Sequence, residues 1–245
     1  MDSGYYAAFA GLLARSQALD VAAGNLANAG TAGYRAERDY FRSAIAGPSV
    51  LDSQLNTTVN DFGVLGGSRL DMGEGALTPT GNPLDLAIEG DGFFAIQTKQ
   101  GTRYTRDGGF ERAQDGTLTT QAAEPVLDAK GQPIRIPAGE IVVGSDGAVS
   151  VNGAIAGSLG VFGFASPDAL AAEGGNRYAA AGAALPVAAR GAIHQGALES
   201  SNQDVIGGSL QLVLMQRQAE MMQKAVSIFS NDFDKTATED LPRVQ

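Results

Sequence analysis

Apolar residues recur at alternating intervals of fours and threes at both ends of the chain, and in short Gly-bounded runs between them. Over residues 4–28 the series is Tyr5, Phe9, Leu12, Ser16, Leu19, Ala23 and Leu26, with no proline to interrupt it. That spacing predicts an α-helix with a coiled-coil seam, narrowed where Ser16 and Ala23 fall. Gly30 and Gly33 then stop the helix. Over residues 203–236 the series is Val205, Gly208, Leu212, Met215, Ala219, Met222, Val226, Phe229 and Phe233. Leu210, Leu214, Met221, Ala225 and Ile228 add a second stripe. A helix apolar over so much of its circumference is not covered by one partner helix; either its own domain encloses it or neighbouring subunits do. Asn202 or Asp204 is placed to cap its start. Gly207-Gly208 cost about 1–2 kcal/mol of helix propensity and predict a late start near Ser209.

The middle of the chain reads as β-structure. Runs such as Leu84–Ile88, Phe93–Gln97, Ile141–Val143, Ala148–Val151 and Leu159–Phe164 are separated by Gly90-Asp91-Gly92, Asp107-Gly108-Gly109, Asp115-Gly116, Asp146-Gly147 and Asn152-Gly153. Asp-Gly and Asn-Gly pairs supply the positive φ that tight hairpins need. Their spacing predicts an antiparallel sandwich or barrel. The expected organisation is an N-terminal helix over 1–33, an extended connection over 34–75 and a central β domain over 76–190. A return linker over 191–202, a C-terminal helix over 203–240 and a tail over 241–245 complete it. The expected fold class is α+β, with the terminal helices paired as a coiled-coil stalk carrying a central, mainly antiparallel β domain.

Composition narrows the chemistry. Of 245 residues 33 are glycine, none is cysteine and one is histidine. Disulfides, thiol nucleophiles and thiolate metal sites are excluded, and a Ser-His-Asp triad has His194 as its one candidate base. His194 sits beside glycines and reads as a solvated loop residue. Asp91, Asp107, Asp115 and Asp146 read as turn formers, without the acidic spacing of an EF-hand. Arg103, Arg106 and Arg112 alternate with Asp107 and Glu111 and read as a solvated, self-compensated strand pair. The expectation is no catalytic residue, no metal and no cofactor. With 17 basic and 27 acidic residues, a net charge of -10, and no basic cluster, nucleic acid is not an expected partner. Asp2, Arg15 and Gln17 break the N-terminal apolar stretch, so neither a cleavable signal nor a membrane span is expected there.

Three stretches carry a resemblance. Asn25, Leu26, Ala27, Asn28, Thr31, Gly33 and Tyr34 fill a helix-ending motif similar to the N-terminal signature of flagellar basal-body rod and hook proteins. Residues 80–97 with 104–120, and residues 194–229, resemble further segments of the same family in the same order. The opening twelve residues, and Arg217-Gln218-Ala219-Glu220-Met221 near the other end, are most similar to the proximal rod type, next to the distal type. The resemblance implies terminal helices that polymerise into the wall of a tube, with the β domain outside. It implies a subunit of the periplasmic rod that transmits torque and encloses the export channel. It also implies export by the flagellar apparatus without a cleavable signal. The implied partners are copies of the chain, other rod and hook proteins and that export apparatus. Tyr5, Phe9, Leu12, Leu19, Leu26, Leu210, Leu212, Leu214, Met215, Met222, Val226, Ile228, Phe229 and Phe233 are then the expected packing residues. Two other classes stay open. A secreted β-domain adhesin accounts for the strands and leaves both terminal seams unexplained. A hydrolase using Asp91 or Asp107 with His194 needs an acid–base pair where turns are expected.

Overall fold

A computed structural model describes residues 2–42, 64–182, 184–189 and 191–235. Helix α1 (Asp2–Ala27) leads into β1 (Glu37–Arg42), β2 (Val64–Leu70), β3 (Leu77–Pro79), β4 (Leu86–Glu89), β5 (Phe93–Thr98) and β6 (Gly101–Thr105). Then come β7 (Phe110–Arg112), β8 (Leu118–Thr120), β9 (Ile141–Val143), β10 (Ala148–Val151), β11 (Ala154–Ser158) and β12 (Val161–Gly163). A 3-10 turn, Pro167–Ala169, precedes β13 (Leu170–Gly174), β14 (Arg177–Ala180) and β15 (Val187–Ala188). Finally β16 (Ala192–Gln195) and β17 (Ala197–Glu199) lead to helix α2 (Val205–Lys235).

The chain divides into two compact units. One takes residues 1–27, 37–69 and 205–245; the other takes 28–36 and 70–204. In the first unit α1 and α2 lie against each other, and β1 pairs with β2 in a two-stranded sheet. Tyr40 lies over Gly66-Gly67, where a Cβ on Gly66 would overlap the ring. Arg69 stacks on the same ring, its guanidinium carbon 4.6 Å from the centroid.

The second unit is built on a six-stranded sheet in the order β13-β14-β6-β5-β12-β15, with antiparallel pairings. The central strand β5 is covered on both sides, which explains its unbroken apolar run. Phe94 and Ile96 point into one cluster with Leu86, Ile88, Phe110 and Leu118. Phe93 and Ala95 point into the other with Tyr104, Leu127, Leu170 and Tyr178. Each large side chain buried in this way contributes roughly 1.5–3 kcal/mol. The turns carry the expected chemistry. Asn152 and Gly153 both have positive φ, 50° and 82°, in the two-residue connection of the β10–β11 hairpin. Asp115 accepts from the Thr117 amide and hydroxyl, and Asp146 from the Ala148 amide. Residues 191–202, expected as linker, hold β16 and β17, which return to pair with β4 and β3.

The α+β class holds, but the coiled-coil stalk does not. Among the described residues there are two α-helices, one at each end of a mostly β chain. The covered positions of α1 are Gly11, Ala14, Ala18, Ala22 and Asn25, not the expected seam. Phe9, Ser16 and Ala23 are exposed, and Leu12, Leu19 and Leu26 are half-buried. Knobs-into-holes packing requires large side chains at the inward positions. A Gly/Ala stripe instead lets backbones approach closely and offers no knobs. Helix α2 also starts earlier than its glycine pair predicts, at Val205, with Gly208 covered inside the helix. Asn202 does not cap it, because its side chain is engaged within the β unit.

Candidate assembly surface

The two faces of α2 differ sharply. Gly208 is buried, and Leu212, Met215, Ala219, Met222, Ala225 and Val226 are half-buried. Leu210, Leu214, Met221 and Ile228 stand out at 58–63% exposure. Val205, Ile206 and Val213 extend this apolar outer face. On α1, Phe9 and Leu13 are about half exposed. The side chains of Tyr5, Phe229 and Phe233 fall outside the described residues. A contiguous apolar surface on a helix needs a cover, and isolated chains seldom carry one without a partner.

The helix-ending motif has a definite mechanical role. Asn25 is buried and grips the start of β1 from both sides: its amide donates to the Glu37 carbonyl at 2.7 Å, and its oxygen accepts from the Glu37 amide at 2.9 Å. Asn28 and Thr31 close the turn after α1, through Thr31 N–H to the Asn28 carbonyl at 3.0 Å and between their side chains at 3.3 Å. Gly33 has φ +65°, and a Cβ there would overlap the Arg106 carbonyl. Only glycine meets both demands. Its amide donates to the Glu199 carbonyl at 2.7 Å.

Gly33 opens onto a buried ion cluster. Arg35, 2% exposed, and Arg106, 3% exposed, both pair with Glu199, 1% exposed, at 2.8 and 3.0 Å. Glu199 also accepts from the Gly75 amide. Arg35 donates to the Gly73 carbonyl, and Arg106 to the carbonyls of Ile88 and Gly90. Burial pushes the Arg106 guanidinium below its ordinary value; Glu199 opposes that shift and the like charge of Arg35 adds to it. Asn202 fastens the same segment, accepting from the Ala36 amide and donating to the carbonyls of Asp71 and Gly73. Asn176 donates to the Ala32 carbonyl, and the Tyr178 hydroxyl accepts from the Arg35 amide. Residues 28–36 are therefore held by side chains from two distant stretches of the chain, 176–178 and 199–202.

Arg106 thus corrects the expectation of a solvated, self-compensated strand pair. Desolvation by the tertiary fold, not the neighbouring Asp107, decides its partner. Arg103 instead pairs with Glu173, and Arg112 donates to the Ile136 carbonyl. His194 lies in strand β16 rather than a loop, exposed, 2.5 Å from Glu89. Sequence reasoning did not single out Arg35, Glu199 or Asn176, although Glu199 lay inside a stretch that carried the resemblance.

Asp107 gives a pH signature. Burial raises its carboxyl above 3.8, with the Gly109 amide opposing and Asp85 adding. A raised folded value means the native state holds the proton more tightly. The associated stability is present below 3.8 and lost as pH rises through the folded value. Asp107→Asn keeps an acceptor for Gly109 and removes the buried charge. It is expected to raise the urea midpoint near neutral pH, with the gain vanishing in acid. Equal gains at both pH values would contradict this.

The model for the "Flagella basal body rod protein" family matches residues 6–35, and that for the "Flagellar hook protein FlgE/F/G D1 domain" matches residues 87–151. The flagellar basal-body rod protein FlgF of Caulobacter vibrioides is 36% identical over the full length of both chains. This chain belongs to the flagellar basal-body rod protein family. FlgF of Mesorhizobium japonicum is 34% identical over 90% of each chain, and FlgG of Bacillus subtilis is 34% identical over 91% of this chain and 93% of that one. In this rod-family chain the first match spans most of α1 and the clamped motif through Arg35. The second spans the doubly covered β5 and its neighbours. Both Asn25 and Gly33 fall in the first; Glu199, which anchors the segment, lies outside both. No helix among the described residues is long and apolar enough to cross a membrane.

Proposed function

We propose that this chain is a structural subunit of the bacterial flagellar basal-body rod and assembles with copies of itself and with other rod proteins. The observation that carries the reading is the outward apolar face of α2, with Leu210, Leu214, Met221 and Ile228 left exposed. Head-to-tail contacts through such a face, where the rotation between subunits does not close a ring, generate a helical filament. In that filament the terminal helices line the tube and the β unit, with its clamped 28–36 segment, gives each subunit a rigid body. A tube of rigid subunits transmits torque and encloses a channel. The flagellar export apparatus would deliver the chain to the growing tip in the periplasm, without a cleavable signal and without insertion in a membrane. Its task is contact rather than catalysis, and it requires no cofactor. The full-length likeness to FlgF and the opening of the chain favour the proximal position over the distal one. The test is electron cryotomography of basal bodies in a deletion strain. Rods that stop short, and regain full length when the gene is restored, support the reading; complete rods and normal motility in its absence would overturn it.

A further inference from the structure

Each helix carries an outward stripe. On α1 it is Phe9, Leu13, Ser16, Asp20, Ala23 and Ala27, all exposed. On α2 it is Leu210, Leu214, Arg217, Met221, Lys224 and Ile228, all exposed as well. Each series advances by four, three, four, three and four, which keeps it on one face of its helix. The inward faces, Gly11, Ala14, Ala18 and Ala22 on α1 and Gly208 to Val226 on α2, are already used inside the chain. Two stripes of equal length and equal spacing are left for another copy.

The stripes are complementary. That of α1 is bulky only at its start, and Ser16, Ala23 and Ala27 keep the rest shallow. That of α2 is bulky along its length, with Leu210, Leu214, Met221 and Ile228 at 58–63% exposure. The one charge in the α1 stripe is negative, and both charges in the α2 stripe are positive. Among the described residues neither Asp20 nor Arg217 takes part in an ion pair. Laid antiparallel with Asp20 on Arg217, every other position falls into register. Phe9 meets Ile228, Leu13 meets Lys224, Ser16 meets Met221, Ala23 meets Leu214 and Ala27 meets Leu210. Large side chains face small ones, and the Lys224 stem lies along Leu13 with its ammonium in water. Glu220, beside the stripe, faces the exposed amide of Gln17. Opposite charges at one position set the register, because an unpaired carboxylate in a contact is costly. A slip of seven residues one way sets Asp20 on Leu210. The same slip the other way carries Phe9 and Leu13 past Ile228. A parallel pairing with Asp20 on Arg217 leaves Leu214, Met221 and Ile228 uncovered.

We infer that the outward stripe of α2 docks antiparallel on the outward stripe of α1 from a second copy, with Asp20 paired to Arg217. The inference rests on the assembly reading above and names the surface that receives the α2 face. Each copy offers one stripe of each kind, so the contact is head-to-tail and repeats. The chain has no cysteine, so introduced thiols report this contact without background. Full-length Ala23→Cys and Leu214→Cys chains are produced together in cells lacking the native gene and oxidised. A disulfide-linked dimer is expected from the mixture and from neither variant alone. None is expected when Met221→Cys replaces Leu214→Cys, because that site lies about 10 Å further along the helix, beyond the span of a disulfide. Asp20→Arg or Arg217→Asp alone is expected to cut the motile fraction about tenfold, and the two together in one chain to restore it. Both positions are exposed, so circular dichroism of each purified variant should match that of the native chain. No dimer, a dimer from either variant alone, an equal yield with Met221→Cys, single reversals without effect, or reversals that do not rescue each other would overturn the register. Complete rods in the deletion strain would overturn the rod reading alone, because the cross-link is scored on the chains themselves.

Discussion

Replacing Glu199 with glutamine is expected to destabilise the β unit by about 3–5 kcal/mol, the usual cost of breaking a buried ion pair from one side. Whole domains have roughly 5–15 kcal/mol to lose. Glutamine keeps the shape and one acceptor for the Gly75 amide, so the effect isolates charge. What remains is two guanidiniums, both almost fully enclosed, with no carboxylate between them. The segment they hold follows directly on α1, so loss of the cluster should also release residues 28–36. Urea unfolding followed by far-ultraviolet circular dichroism measures the first effect, and amide hydrogen exchange at Tyr34 and Ala36 the second. Glu173→Gln is the control. Its partner Arg103 is near the surface and Glu173 is 43% exposed, so that loss should stay within about 1 kcal/mol. If the two variants unfold at the same midpoint, the cluster is not a structural anchor.

The contrast between those two glutamates explains what the sequence could and could not reveal. Local rules carry local features: the helix spans, the Asp-Gly and Asn-Gly turns, and the apolar run that opens β5 all follow from residues within a few positions of one another. Glu199 meets Arg106 across 93 residues of chain, and no spacing rule reaches that far. Arg106 is also flanked by Asp107, an adjacent opposite charge that makes a solvated reading the natural one until the fold desolvates the arginine. The chain does place glycines at the narrowest points of this junction. Gly33 and Gly75 lie where a Cβ would overlap the backbone of Arg106 and Ser200.

The α1 stripe failed for a different reason. Gly11, Ala14, Ala18, Ala22 and Asn25 repeat at the same threes and fours as Tyr5, Phe9 and Leu12, so periodicity alone cannot choose between the two faces. Ranking by hydrophobicity selects the larger residues. Packing selected the smaller ones, because close contact of backbones rewards small side chains, and it left Phe9 and Leu13 outward. On α2 no such conflict exists. Its covered face from Gly208 to Val226 carries both the spacing and the bulk, and the second apolar stripe is in excess of what α2 can bury.

That excess leads to the other large effect. Leu214→Asp with Met221→Asp is expected to abolish rod assembly and motility while leaving the isolated chain folded. Both side chains are nearly three-fifths exposed, so aspartate at either position stays in water in the monomer. Both would be desolvated if neighbouring subunits cover this face, and a buried carboxylate without a partner costs several kcal/mol. Two per subunit, repeated through a polymer, exceeds what an interface of ordinary strength can absorb. Leu212→Asp with Met222→Asp is the complementary pair, since those residues are half-buried against the rest of the helical unit. That pair should perturb the helical unit of the monomer itself, visible as lost helical ellipticity. Motility restored by the outward pair, with normal rods in the basal body, would show that α2 does not present its apolar face to neighbours.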